Sequence, residues 1–320
     1  MMTVKQIYDL AVKMGIQGDP RPKSAIQRQL KEAREEYNTM AAKDKVYFDT
    51  EYLTNPYSDT RIVYAKDVNH QVKRMFAGID CEGPELLLAN HLGNIDLVLS
   101  HHPEGIALAD LPNVMELQVD MLGGVGVPVH IAENLLTSRI AEVNRGVHPI
   151  NDQRNVDIAR LLNIPYLSTH TVTDNLVTQF IDRLTKKHQP QLYYVSDILD
   201  LLMTIPEYQI AKRLKSGPTV FIGGPKRRVG KIAVTEMTGG TNGAKEMFEQ
   251  LSRAGIGTLI GMHMREDHRK EAEKHHINVV IAGHISSDSL GMNLLLDKIE
   301  KRKVEIIPLG GLIRVKRFKK

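Results

Sequence analysis

Short apolar runs alternating with amphipathic stretches constrain this chain more than any other feature. Residues 230–303 run GKIAVTEM (230–237), AKEMFEQLSRAG, GTLIGMH (257–263), EDHRKEAEKHH, INVVIAG (277–283) and SSDSLGMNLLLDKIEKRK. The apolar runs have strand length, and the stretches between them carry helical spacing. Earlier in the chain, VKRMFAGID (72–80), PELLLANHLG and IDLVLS (95–100) repeat the same order of strand, helix and strand. Strands separated by helices in this way build α/β units around a mostly parallel sheet. At 320 residues the chain has room for two such units. The stretch 190–217 reads as helix broken at Pro206 and ended by SGP. The expected organisation is therefore an N-terminal α/β domain over 1–214 and a C-terminal α/β domain over 215–320.

The first residues, with Val4, Ile7, Tyr8, Leu10, Ala11 and Met14 at helical spacing, read as an amphipathic helix. They lack the apolar core and small-residue cleavage site of a signal peptide. Segment 19–47 is charge-rich with a thin apolar stripe, the pattern of a surface arm or an oligomer contact. No apolar stretch reaches the roughly 20 residues that span a bilayer, so no membrane association is expected. Cys81 is the single cysteine, which excludes an intrachain disulfide and fits a reducing, cytoplasmic compartment. Net charge is +4, from 42 basic and 38 acidic residues, too even a balance to point to nucleic acid. The basic clusters at Lys226, Arg227 and Arg228 and in the tail VKRFKK read as solvated surface.

Three strand candidates run directly into histidine. VLSHHPEG (98–105) ends in His101 and His102, IPYLSTH ends at His170, and INVVIAGH ends at His284. Asp174 follows His170 by four residues, and Asp288 follows His284 by four. If a helix opens at each strand end, both members of such a pair share one helix face. The carboxyl ends of parallel strands lie on one edge of a sheet, where α/β folds bind ligands. Imidazole with carboxylate suits Zn, Mn, Fe or Ni, and the lack of thiolates argues against a structural zinc knot. His101, His102, His170, Asp174, His284 and Asp288 exceed the needs of one catalytic metal, so two metals bridged by a carboxylate use the set better. The competing reading is that some of these histidines cap helices or satisfy core hydrogen bonds. His170 stands either as a ligand or as a neighbour that orients the ligands and moves a proton.

These segments resemble the NIF-three-like family, whose members are also known as GTP cyclohydrolase I type 2 homologues. VLSHHP, STHTVTD and VIAGHISSD match its three signature segments in order, and VKRMFAGID and VGKIAVTEMTGG extend the match. The resemblance implies two α/β domains with the metals between them, and a ring of dimers enclosing the sites. It assigns His101, His102, Asp174, His284 and Asp288 as ligands of two divalent metal ions and places His170 beside them; in a hydrolase His170 is the candidate catalytic group. Asp288 departs from the pattern, standing where the family usually carries glutamate with an arm one methylene longer. The segment 105–160 is longer than usual, and its LGGVGVPVHIAENLLTSRIAEVNRGV reads as an ordinary loop, with a lid hinged at Gly123, Gly124 and Gly126 as the alternative.

The expected activity is metal-dependent hydrolysis of a small, nucleotide-like substrate. The alternative is a non-catalytic protein that carries metal or serves as an interaction scaffold. The GGTNG turn (239–243) reads as a plain strand–helix turn, though a helix opening there could cradle phosphate. His263 and His268 read as partly exposed helix-start histidines, with a place in the cavity as acid/base groups as the alternative.

Overall fold

In the computed structural model, which describes residues 1–318, the first helix is set by its cap. Thr3 Oγ1 accepts from the Gln6 N–H at 3.1 Å, and Gln6 Oε1 accepts from the Thr3 N–H at 3.0 Å. This reciprocal pair satisfies two amide groups that a helix start leaves unpaired. The helix α1 (Val4–Gly18) buries Val4, Ile7, Tyr8 and Ala11 along one face, as the spacing predicts. Helix α2 (Lys23–Thr39) buries only Ile26, so the charged segment lies on the surface of this chain.

The chain then lays down β1 (Thr60–Tyr64), β2 (Arg74–Gly78), α3 (Gly83–Leu92) and β3 (Leu97–Ser100). Helices α4 (Leu117–Val125), α5 (Val129–Val147) and α6 (Arg154–Leu162) lead to β4 (Tyr166–Thr169) and α7 (His170–His188). Helices α8 (Val195–Leu202) and α9 (Pro206–Arg213) precede the second half. That half runs β5 (Thr219–Ile222), β6 (Lys231–Glu236), α10 (Met247–Arg253), β7 (Ile256–Gly261), α11 (Glu266–Lys274) and β8 (Asn278–Ile281). It ends with α12 (His284–Glu300) and β9 (Glu305–Leu309).

Two mostly parallel sheets result, and the fold is α/β as expected. The first has the order β9–β2–β3–β4–β1, parallel except for the edge strand β1. The second has the order β5–β8–β7–β6, parallel except for β5. Strands β3, β4 and β8 are buried along their whole length, which is why they read as continuous apolar runs rather than alternating ones. The expected boundary at 214/215 falls between α9 and β5, where the second sheet begins. Sheet membership does not follow that cut to the end, because β9 returns from 305–309 to pair with β2. Residues of α8 and α9 also pack in one cluster with Ile260 and Val280 of the second sheet.

The segment 105–160 is not a loop, as expected from its glycines, but a run of helices. Gly123 and Gly124 lie inside α4, and Gly126 ends that helix with φ at 109°. Leu117, Met121 and Leu122 bury one side of α4, and this packing outweighs the weak helix propensity of glycine. No helix among the described residues is long and apolar enough to cross a membrane.

Candidate metal centre

Every candidate histidine follows the carboxyl end of a strand. His101 and His102 follow β3, His170 follows β4 as the first residue of α7, and His284 opens α12 after the two residues Ala282 and Gly283 that follow β8. Gly283 makes this last turn at φ 106°, a conformation that favours glycine, and a Cβ there would stand 2.7 Å from the Ser216 carbonyl oxygen. Asp174 and Asp288 sit one turn into α7 and α12. The two helices approach closely: a Cβ on Gly291 would lie 2.2 Å from the Thr173 carbonyl oxygen. The absent side chain at 291 thus lets α12 carry Asp288 up to Asp174.

All six predicted residues come together. His101 Nε2 lies 3.6 Å from Asp174 Oδ1 and 3.6 Å from Asp288 Oδ1. Asp288 Oδ2 lies 3.7 Å from His102 Nε2 and 3.5 Å from His284 Nε2, and His170 Nε2 lies 3.7 Å from Asp174 Oδ2. These separations are too long for hydrogen bonds. They suit atoms that share a cation, since two ligands about 2.1 Å from one tetrahedral ion are about 3.4 Å apart. His101 Nε2, Asp174 Oδ1 and both oxygens of Asp288 are buried without a hydrogen-bond partner among the described residues. Buried polar atoms are otherwise nearly always paired, so this donor set fits a metal. Three overlapping groups can hold one: His101–His102–His170, His102–His284–Asp288 and His101–Asp174–Asp288.

Three orienting partners escaped the sequence reading. Thr173 Oγ1 lies 2.9 Å from His101 Nδ1, Asp80 Oδ1 lies 2.6 Å from His102 Nδ1, and Asp59 Oδ2 lies 2.8 Å from His170 Nδ1. Engaging Nδ1 in each ring leaves Nε2 for the centre, the arrangement that orients metal-binding histidines. The electrostatics match. Burial, then the neighbouring imidazoles His170, His102 and His284, push His101 far below the usual histidine range. Burial with His170 lowers His102 despite Asp80, and burial with His263 lowers His284 to about 3. Burial also opposes the charged form of His170, but Asp174, Asp59 and Asp288 outweigh it and raise that histidine. Burial raises Asp174, and burial with Asp174 raises Asp288 well above the carboxylate range. Without a cation the centre therefore resists holding its carboxylates charged.

A cavity beside the centre is lined on its far wall by Glu236, Met237, Thr238 and the loop 239–243, and His263 also borders it. Side chains from outside pin this loop by its carbonyls. Gln118 Nε2 of α4 donates to Gly239 O and Thr241 O, both at 2.7 Å, and Arg139 Nε of α5 donates to Asn242 O at 3.1 Å. His268 Nε2 lies 2.9 Å from Gly243 O, so His268 is buried in this network rather than exposed at a helix start. The helices of segment 105–160 thereby brace the wall of the site. GGTNG opens no helix, since α10 begins only at Met247. Lys226, Arg227 and Arg228 do not line the cavity. Lys319 and Lys320 of the basic tail lie outside the described residues.

Comparison with known proteins agrees with this architecture. The family model for Duf34/NIF3 (NGG1p interacting factor 3) matches residues 152–309, which carry His170, Asp174, His284 and Asp288. The fold is similar to that of a NIF3 superfamily protein from Sphaerobacter thermophilus, with a TM-score of 0.77 and 24% identity over 97% of this chain and 99% of that one. Reduced HcgD from Methanocaldococcus jannaschii is similar over 88% of this chain and 97% of its own, at 15% identity and a TM-score of 0.49. A Bacillus cereus protein related to NIF3 is similar over 90% and 98%, at 12% identity and a TM-score of 0.41. No curated protein matches the chain by sequence.

Proposed function

Through residues 152–309 this chain belongs to the Duf34/NIF3 family, and from that premise we propose that it is a hydrolase that holds two divalent metal ions and acts on a nucleotide-like substrate. One observation carries the dinuclear reading. The two orphaned oxygens of Asp288 face different partners, Oδ1 towards His101 and Oδ2 towards His102 and His284. Asp288 is then the bridge despite its short arm. The adjacent histidines would serve one ion each, His101 with Asp174 and His102 with His284. Zn, Fe, Mn and Ni all suit this mixture of imidazole and carboxylate.

Two such ions, when bound, lower the pKa of water and draw charge from a carbonyl or phosphoryl oxygen. The chain's own groups do the rest. Asp59 holds His170 Nδ1 and so leaves Nε2 to accept or return a proton beside Asp174. Asp80 and Thr173 fix the planes of His102 and His101. This reading takes the protein as a cytoplasmic homo-oligomer.

A second reading, a metal carrier, draws on the side chain of His284, which is 40% exposed and offers a route for exchange. Elemental analysis and nucleotide turnover separate the two. The hydrolase should hold about two ions per chain and turn over GTP or a related nucleotide, with loss of turnover in Asp174→Ala. Equal turnover by wild type and variant across metals would refute the hydrolase, and release of metal to a chelating acceptor within seconds would favour the carrier.

A further inference from the structure

We propose that the C-terminal segment 313–317 and α9 form a clamp that sets the position of α12, and that occupancy of the metal centre depends on this clamp. The inference rests on the two-ion centre and not on the reaction carried out there. Its starting point is what holds the helix that carries His284 and Asp288. On one side α12 meets α7 with no room for a side chain at Gly291. On another side Ser289, Asn293 and Asp297 stand at four-residue steps and so form one stripe. The tail lies along this stripe. The Ile313 N–H donates to Ser289 Oγ at 3.0 Å, Asn293 Nδ2 donates to the Ile313 carbonyl at 2.8 Å, and the Arg317 N–H donates to Asp297 Oδ2 at 3.0 Å. From α9, the Tyr208 hydroxyl lies 3.0 Å from Ser287 Oγ. Both chain neighbours of Asp288 are thus anchored to groups outside α12.

Lys316 and Arg317, expected as solvated surface, take part in the clamp. Both Nη atoms of Arg317 donate to Glu207 at 2.7 Å, and Asn293 Nδ2 donates to the same carboxylate at 2.7 Å. Arg314 pairs with Asp297 and Glu300, and Lys316 pairs with Glu300. Three carboxylates therefore meet three cations, and Glu207 and Asn293 are fully buried. Buried ion pairs add little stability over well-packed apolar side chains, because desolvation offsets their attraction. What this set supplies is geometry, since the two-pronged contact of Arg317 with Glu207 accepts one arrangement. A metal centre needs that, because its ligand distances tolerate only about 0.2 Å of error. A released α12 would carry His284 and Asp288 away together, while His101, His102 and Asp174 stay with β3 and α7. The ion between His102 and His284 would lose two ligands, and the ion between His101 and Asp174 only one.

The test is competition with a chromophoric chelator on the full chain loaded with zinc. Glu207→Gln combined with Arg317→Gln removes this ion pair and strands neither charge. One ion should bind about tenfold more weakly, and the other should change by less than about twofold. His284→Ala keeps only the ion on the His101 side, so adding the same pair of substitutions to it should change the remaining affinity by less than about twofold. Unchanged affinity for both ions, with the fold intact by circular dichroism, overturns the clamp. Equal weakening of both ions also overturns it, because that is the signature of general loosening. Should the double variant fail to fold, Ser289→Ala leaves every charge paired and should weaken the same ion about threefold, and no change there overturns the proposal. Wild type that binds both ions like its variants removes only the clamp, whereas wild type that binds no zinc removes the metal centre itself.

Discussion

Asp288→Asn is the sharpest perturbation of the centre, because it keeps the shape of the side chain and removes the charge that both imidazole sets face. A ligand present at 100 times its dissociation constant stabilises the folded state by about 2.7 kcal/mol, so two ions contribute about 5.4 kcal/mol. Unfolding entropy of about 2.1 cal/mol/K per residue gives roughly 0.67 kcal/mol/K for 320 residues. The ions should then raise the melting temperature of wild type by about 8 °C. Asp288→Asn should lose nearly all of this rise, since each ion loses one of its few ligands. His284→Ala, which touches only the His102 side, should keep about half, roughly 4 °C. The metal-free Asp288→Asn protein should melt above metal-free wild type, because the amide needs neither the buried charge nor the proton uptake that burial imposes on Asp288. Differential scanning calorimetry with and without metal reads all three values. Retention of half or more of the rise in Asp288→Asn would refute the bridging role.

Asp80→Ala frees the ring of His102 and should weaken metal binding by about 10–100-fold without altering the fold, as read by competition with a chromophoric chelator and by circular dichroism. Gly291→Ala drives a methyl group into the Thr173 carbonyl oxygen and should cost about 3 kcal/mol, the upper end of overpacking penalties, measured by urea denaturation. Metal affinity should rise as pH rises from acid through neutral. Burial holds Asp174 and Asp288 towards their protonated forms, and a bound ion must displace those protons. Potentiometric titration should register proton release on metal uptake in the acid range, and an affinity independent of pH would contradict this.

The strand tips were legible because buried parallel strands leave uninterrupted apolar runs, and each run here stops at a histidine. The fourfold offset to Asp174 and Asp288 was legible because both tips open helices. Asp59, Asp80 and Thr173 were not, because no fixed spacing links an orienting residue to the ring that it holds. Asp59 lies 111 residues from His170 in sequence. Segment 105–160 misled through Gly123, Gly124 and Gly126, whose local preference for a loop yields to the burial of Leu117, Met121 and Leu122. Strand β9 was hidden by Pro308, which an edge strand tolerates and a central one does not.

Because β9 comes from residues 305–309 yet pairs with β2, assembly of this protein during translation has a fixed order. Synthesis runs at roughly 5–20 residues per second, so the outer edge of β2 waits roughly ten to fifty seconds for its neighbour. His101 and His102 emerge early in that interval, while His284 and Asp288 emerge near its end. A half-made chain already carries His101, His102, His170 and Asp174 but lacks the carboxylate that the two imidazole sets share, so it offers a shell to one ion at most. A two-ion centre would thus wait until both sheets exist, because His284 and Asp288 lie on α12, which follows the last strand of the second sheet.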